Sequence, residues 1–249
     1  MELDLVLTIT GLFFLIAVFY SSVGQAGATG YLAVMALFGL PPEVMRPVAL
    51  ALNVLVAGLT TYRFYKAGHL KFSEAWPLLL MSAPLAFVGG TMVLPQEIYR
   101  LLLGGLLILS AGYLIWRSLA EPDRFSENDK ILPKVPALGT GGTVGFLSGL
   151  TGIGGGVLLS PVLLQFGWAG IRKASALSAV FILFNSAAGL AGNLVSLNSL
   201  PTVVPIWAVA AMLGGLIGSR GGALAIPSVY LIRILSVVLL AAGLKFVIF

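Results

Sequence analysis

The sequence predicts an all-α polytopic membrane protein made of two homologous halves, and three observations carry that reading. Of the 249 residues, 59% are hydrophobic and only 9% are charged, where a soluble domain carries about 25% charged residues. A soluble core of this size cannot hide so much apolar surface, and the mean hydropathy of +1.05 agrees. Charge-free runs long enough to cross about 30 Å of hydrocarbon follow one another along the chain. Two of these runs are too long for one span, and each is broken in its middle by a glycine cluster.

The runs are 5–42, 47–62, 75–96, 101–116, 135–171, 174–219, 221–232 and 234–244. The first breaks at Gly24-Gln25-Ala26-Gly27-Ala28-Thr29-Gly30. The fifth breaks at Gly152-Ile153-Gly154-Gly155-Gly156, 128 positions further on. Helices are expected to restart near Tyr31 and Val157. Run 174–219 is too long for one helix and divides at Asn198 and Pro201. The last two runs are separated only by Arg233, so one helix from about 228 to 249 fits better. The sum is eight or more membrane helices, with glycine-broken helices in each half.

Residues 117–136 divide the chain into a first repeat, 1–116, and a second, 137–249. That linker holds Arg117, Glu121, Asp123, Arg124, Glu127, Asp129, Lys130 and Lys134, and reads as a solvated segment. Other pairs support duplication: Phe38-Gly39 with Phe166-Gly167, Pro95 and Tyr99-Arg100 with Pro227, Tyr230 and Arg233, and Ala111-Gly112 with Ala242-Gly243. Internal duplication is frequent among secondary transporters.

Topology follows from the two long runs. If each crosses once, Lys and Arg divide eight against six between the two sides. If each folds back as a helical hairpin, the halves are inverted and the division is eleven against three. The side with three holds only Arg46, Arg100 and Lys245. The second division matches the positive-inside bias. Inverted repeats in the cell membrane are therefore expected, with the linker cytoplasmic and both termini outside. The start, Met1-Glu2-Leu3-Asp4, lacks the basic region of a cleavable signal peptide.

Composition also excludes function classes. The net charge is +5, but Lys and Arg stand singly at the ends of apolar runs. That pattern fits topology and lipid headgroups, and no nucleic-acid partner is expected. There is no cysteine. No His and carboxylate cluster could hold a metal, and no two acids share a span. Thr151 to Gly156 resembles a phosphate loop only superficially, since no Lys-Ser or Lys-Thr follows. An enzyme, a cofactor and a metal are not expected.

The candidate site lies at the glycine breaks. A broken membrane helix persists only where it faces protein or a water-filled cavity, and the next half-helix presents free N–H groups that attract anions. The candidates are Gly24, Gln25, Gly27 and Thr29 in the first half, and Gly152, Gly154, Gly155 and Gly156 in the second. Ser21, Ser22, Ser148 and Thr151 stand beside them. Asn53 and Asn185 are intramembrane amides, hence candidate ligands or interhelical hydrogen bonds. Arg220 is a candidate anion ligand or a snorkelling residue. Arg46, Arg172 and Lys173 read as topology anchors. The competing explanation of the glycines is close helix packing, as in the spacing of Gly152 and Gly156.

Gly24 to Gly30, then Phe38-Gly39-Leu40-Pro41-Pro42-Glu43-Val44, then Lys66-Ala67-Gly68-His69-Leu70, resemble the first half of the TauE/SafE family of sulfite exporters. Gly152 to Gly156 with Pro161, Arg172-Lys173-Ala174 and Asn185-Ser186 are similar to its second half. The resemblance implies secondary export, without ATP hydrolysis, of sulfite, thiosulfate or organosulfonates such as sulfoacetate, along a pathway lined by the breaks. Two departures matter. The first break reads Gly-Gln-Ala-Gly-Ala in place of a glycine run, and Pro47-Val48-Ala49 replaces a Gly-Thr-Ser type sequence. The two halves of the site are thus expected to be unequal. A passive anion channel and a non-transporting membrane subunit are the alternatives. The expected partners are a small anion and the lipid bilayer, and a homo-oligomer stays open.

Overall fold

A computed structural model describes residues 3–22, 24–119, 132–194, 200–220 and 228–248. The described residues form helices without strands: α1 (Leu3–Ser22), α2 (Ala28–Leu37), α3 (Pro42–Lys66), α4 (Phe72–Thr91), α5 (Gln96–Leu119), α6 (Lys134–Thr151), α7 (Gly156–Gln165), α8 (Ile171–Gly192), α9 (Val204–Gly218) and α10 (Ser228–Ile248). Five are long and apolar enough to cross a membrane: α1, α3, α4, most of α5 and most of α8. The chain is a multi-pass membrane protein.

The two over-long runs are each split into a long and a short helix, and the chain reverses at the split. Phe13 on α1 and Tyr31 on α2 would stand about 27 Å apart along one continuous helix, yet their ring centroids are 4.9 Å apart. Tyr20 and Thr29 share a hydrogen bond across the same turn. At the second split, a Cβ on Gly155 would lie 3.1 Å from Val144 Cγ1 and 3.3 Å from Ser148 Cβ, both on α6. Ser160 on α7 then bonds Ser178 on α8 at 2.8 Å, and Gly156 lies against Ile182. So α7 runs back along α8.

Both short helices end alike. Gly39 and Gly167 adopt positive φ, 74° and 64°. Leu40 N–H donates to Met35 O and Trp168 N–H to Leu163 O. This is the left-handed glycine stop that satisfies the last carbonyls of a helix. The Phe-Gly pairs read from the sequence are these stops.

The helices pack in a pattern that exchanges elements between the first five and the last five. The fourth helix of each set lies on the first helix of the other: α4 on α6, and α9 on α1. Glycines make both contacts. Gly141, Gly145 and Gly149 face the backbone at Leu78, Ser82 and Ala86, and Gly214 and Gly218 face the backbone at Phe14 and Val18. Such small-residue spacing lets two backbones approach in a membrane without a hydrophobic driving force. In the middle, α3 and α8 cross antiparallel. Leu50 meets Gly189 and Gly58 meets Leu183, and Asn53 meets Ser186. The outer pair α5 and α10 is antiparallel too, with Gly104 against Val247 and Ile108 against Gly243.

Several boundaries differ from the sequence reading. Helix α3 starts at Pro42, ahead of the apolar run at 47, because Pro42 and Glu43 suit a first helical turn and Arg46 is buried within it. The linker is shorter than 117–136, since α5 continues to Leu119 and α6 starts at Lys134. Its remainder, 120–131, lies outside the described residues, as do Asn198 and Pro227. Run 174–219 is divided between Gly192 and Val204, a gap that contains Pro201. The final helix, Ser228–Ile248, agrees with the expected 228–249.

Candidate functional site

The first break turns on Gly24 and Gly27, with φ of 80° and 102°. The second turns on Gly152, Gly154 and Gly155, with φ of 85°, 80° and 82°. L side chains rarely adopt such φ. Gly24 and Gly27 match Gly152 and Gly155 at the same spacing as the glycine stops. Helix α2 begins at Ala28 and α7 at Gly156, three positions and one position ahead of the starts expected from sequence. No side chain caps either N-terminus, so the first-turn N–H groups lack a side-chain acceptor within the buried breaks.

The glycines fall into two physical groups. Gly141, Gly145, Gly149, Gly214 and Gly218 touch the backbone of a neighbouring helix and explain packing. The break glycines are left-handed; Gly154 and Gly155 face side chains, while Gly24 and Gly152 meet both side chain and backbone, at Ser175 and Arg46. Gly24 lies against Ser175, Gly154 against Asn53, Ile182 and Ser186, and Gly155 against Phe181. Gly152 and Gly156 are not a packing pair, because Gly152 is left-handed and lies on Arg46 while Gly156 faces Ile182.

Buried polar side chains gather at these turns on α3, α7 and α8. Gln25 Nε2 stands 3.4 Å from Ser160 Oγ, and Ser160 also bonds Ser178. Asn53 Nδ2 stands 3.3 Å from Ser186 Oγ and occupies the place a side chain on Gly154 would take. Asn185 Nδ2 donates to Phe181 O at 2.7 Å. Gln25, Asn53 and Asn185 are each at most 2% exposed, yet the oxygen of each amide has no partner. The Ser148 hydroxyl is also buried and unpartnered. A buried polar group without a partner costs about 1–3 kcal/mol, and native folds leave few. Four of them lie at or near the turns that precede α2 and α7.

The remaining expected residues are placed elsewhere or are already engaged. Thr29 is held by Tyr20. Ser21 bonds back to Ala17 O, and Thr151 Oγ1 bonds back to Leu147 O. Ser22 is exposed and bonds Phe19 O. Arg220 is exposed at the end of α9, beside the Arg63 guanidinium, which donates to Leu216 O and Ser219 Oγ. Lys173 forms an ion pair with Glu74 at 2.7 Å.

Arg46 is the residue sequence reasoning misjudged. It is 7% exposed, and its guanidinium donates to Met92 O, Gly89 O and Gly90 O at the end of α4. It thereby satisfies carbonyls that a helix end leaves open. Its backbone and stem also lie against Gly152. Beside it, the Tyr99 hydroxyl donates to Thr151 O at 3.0 Å, just before the second break. A lone Arg five residues into a helix near a Pro-Pro start gave no signal of this role. Ser160, Ser178 and Ser186 were also missed, although Ser178 and Ser186 share a face of α8 with Ile182 at helical spacing.

Among the described residues no group of three His, Cys, Asp or Glu side chains could hold a metal. The site offers oriented dipoles, amides and hydroxyls.

The family model described as "Sulfite exporter TauE/SafE" matches residues 9–246. The chain belongs to the TauE/SafE family. It is 40% identical over 233 residues to "Probable membrane transporter protein y4hK" of Sinorhizobium fredii, covering 94% of each chain. It is 26% identical over 209 residues to "Probable membrane transporter protein ORF9" of a Sinorhizobium species, covering 82% of this chain and 78% of the relative. A third relative, "Probable membrane transporter protein MJ0441" of Methanocaldococcus jannaschii, is 28% identical over 158 residues, 61% of this chain and 57% of its own. No solved structure matches. Membership in TauE/SafE and the apolar helices agree on a multi-pass membrane protein of a transporter family.

Proposed function

We propose that this chain is a secondary exporter of small sulfur-containing anions such as sulfite or sulfoacetate, bound between the broken helices of two inverted halves. The observation that carries the proposal is the pair of uncapped half-helices α2 and α7, which leave matching left-handed glycine turns amid buried amides that lack partners. Half-helix N-termini at broken membrane helices are a recurrent way to hold an anionic group. The family description supports sulfite and export.

Inversion is supported by the chain reversals at both breaks and by the antiparallel pairs α3 with α8 and α5 with α10. A two-fold axis in the membrane plane makes equivalent helices antiparallel where they meet. An axis along the membrane normal makes them parallel. The cationic ends follow suit. Arg46 and Lys245 hold the ends of α4 and α2, while Arg63 holds the opposite end of the bundle, at the end of α9. With the positive-inside bias, the linker is cytoplasmic, the termini are outside, and the membrane is the cell membrane. Alternating exposure then comes from one half rocking against the other.

The test is anion flux in proteoliposomes, comparing sulfite, thiosulfate, sulfoacetate, sulfate and chloride, with Gly155→Leu as the site variant. A Cβ there would press on Phe181 at 2.8 Å, in a left-handed backbone. Saturable flux of a sulfur anion with counterflow, lost in folded Gly155→Leu, is expected. Unsaturable conduction would indicate a channel, and absence of flux for every anion would overturn the substrate assignment.

A further inference from the structure

We infer that the site takes its anion singly charged and still carrying a hydrogen, with Asn185 Oδ1 accepting the hydrogen bond from that O–H. The inference rests on the transport reading above and specifies its ligand.

Charge comes first. A helix N-terminus carries about half an elementary charge, so α2 and α7 together offer about one. No Lys, His, Asp or Glu stands among the residues at the breaks. Arg46, the buried cation beside Gly152, has both terminal nitrogens on the carbonyls of Gly89, Gly90 and Met92, and its Nε–H is left without a partner. The helix dipoles balance one negative charge, and a second would have only this guanidinium, already committed to the end of α4, to meet it.

Hydrogen bonding then distinguishes the three amides. Gln25 and Asn53 contact serine hydroxyls. Ser186 can donate or accept, so Asn53 can turn and present its NH2 to an anion oxygen; Ser160 donates to Gly156 O, so Gln25 turns only when that hydroxyl leaves Gly156 O. Asn185 cannot turn. Its partner is the Phe181 carbonyl, which only accepts, so the amide nitrogen must face it and Oδ1 must face away. That oxygen is fully buried and unpartnered. Asn185 stands between Phe181, which lies on Gly155, and Gly189, which lies on Gly149. These three share one stripe of α8, directed at the last turn of α6, where the Ser148 hydroxyl is also free. A bare oxyanion would meet Asn185 Oδ1 oxygen to oxygen. An anion bearing one O–H would satisfy it.

Hydrogen sulfite has this form, whereas sulfoacetate and thiosulfate are doubly charged near neutrality and carry no such donor, so hydrogen sulfite is the one selected among the anions proposed above. Sulfate, doubly charged near neutrality, and methanesulfonate, which has no donor, do not have this form either. Each hydrogen sulfite carried takes one proton with it, so flux depends on pH through the substrate. The charged and titratable groups around Asn185 are already engaged or lie elsewhere. Arg46 of α3 is held on the α4 carbonyls and the Tyr99 hydroxyl of α5 on Thr151 O; Glu43 of α3 is exposed, and Arg63 and Lys66 lie in the last turns of that helix. Glu74 of α4, Lys134 of α6, and Arg172 and Lys173 of α8 sit at the opposite ends of their helices. Helix α7 carries no titratable side chain.

The experiment measures flux of radiolabelled sulfite and methanesulfonate in proteoliposomes from about pH 6 to about pH 8, with equal pH on both sides and protein-free vesicles subtracted. Sulfite exchanges its last proton near neutral pH, so its flux at fixed total concentration should fall as the hydrogen-bearing form disappears, approaching tenfold per pH unit, ~10, at the alkaline end. Methanesulfonate flux should be weak and flat. In Asn185→Leu the preference for sulfite over methanesulfonate at the acid end should drop by about tenfold or more. If that variant does not fold, the wild-type comparison decides alone. Sulfite flux that is flat or rises with pH overturns the inference and leaves the transporter standing. Absence of flux for both anions and for thiosulfate overturns the transporter reading and this inference with it.

Discussion

The two glycine breaks reverse the chain in the same way but furnish themselves differently. At the first, Gly24 and Gly27 make the turn, and Gln25, the first of the two residues between them, carries the amide. At the second, the matching place is Ile153, and the amide comes from across the molecule. Asn53 on α3 stands where a side chain on Gly154 would be. Ala26, the counterpart of Gly154, needs no positive φ, since only glycines adopt it among the described residues. Two turns can thus reverse the chain at matching glycines while their remaining backbone and chemistry differ, each still ending beside a polar group.

The largest expected effect breaks this comparison at Gly154. Gly154→Val would place a branched side chain in a left-handed turn and on Asn53. It should abolish sulfur-anion flux, while Ala26→Gly at the matching position should leave flux within about twofold of wild type. Flux assays on detergent-stable, reconstituted protein decide this. Equal damage at both positions would mean that the extra left-handed glycine has no special role.

Next come the amides. Gln25→Leu and Asn53→Leu should each weaken apparent affinity by about 5–150-fold, the span corresponding to about 1–3 kcal/mol for a lost buried partner. Concentration dependence of flux measures it. Loss at one break only would show that the anion contacts a single half.

Packing glycines should behave in the opposite manner. Gly145→Leu forces a side chain into the Ser82 backbone and should cost about 1–3 kcal/mol of stability by overpacking. The thermal midpoint in detergent should fall, while affinity for the anion in the surviving folded fraction is retained. An affinity loss without a stability loss would erase the distinction between packing and break glycines.

The smallest effects concern the helix stops. Gly39→Ala and Gly167→Ala should each cost about 1 kcal/mol, because a non-glycine residue is strained at positive φ. Nothing lies within 4 Å of a Cβ on Gly39, so strain alone acts there. Thermal melts of the two variants should match.

Much of this comparison was legible in the sequence, for physical reasons. Glycine clusters inside over-long apolar runs predict broken helices, and the breaks fall at Gly24–Gly27 and Gly152–Gly155 as expected. The Phe-Gly stops and the final helix were legible too, because apolar length and left-handed glycines are local signals. Partnership across the fold was not. Asn53 could be named a candidate, but only the crossing of α3 and α8 shows that it serves the second break rather than its own. Arg46 looked like an anchor because a charge beside an apolar run usually is one. Its burial depends on the α4 carbonyls that fold against it. Arg220 could not be separated from a ligand until its neighbour Arg63 was seen at the same helix end.

The central claim is that both breaks hold one anion. Calorimetric titration of purified protein with sulfite, repeated on Gln25→Leu and Asn53→Leu, tests it most directly. One sulfite per chain, with both substitutions weakening the same binding event, is the predicted result. Two independent binding events, each lost with only one of the substitutions, or binding untouched by either, would contradict it.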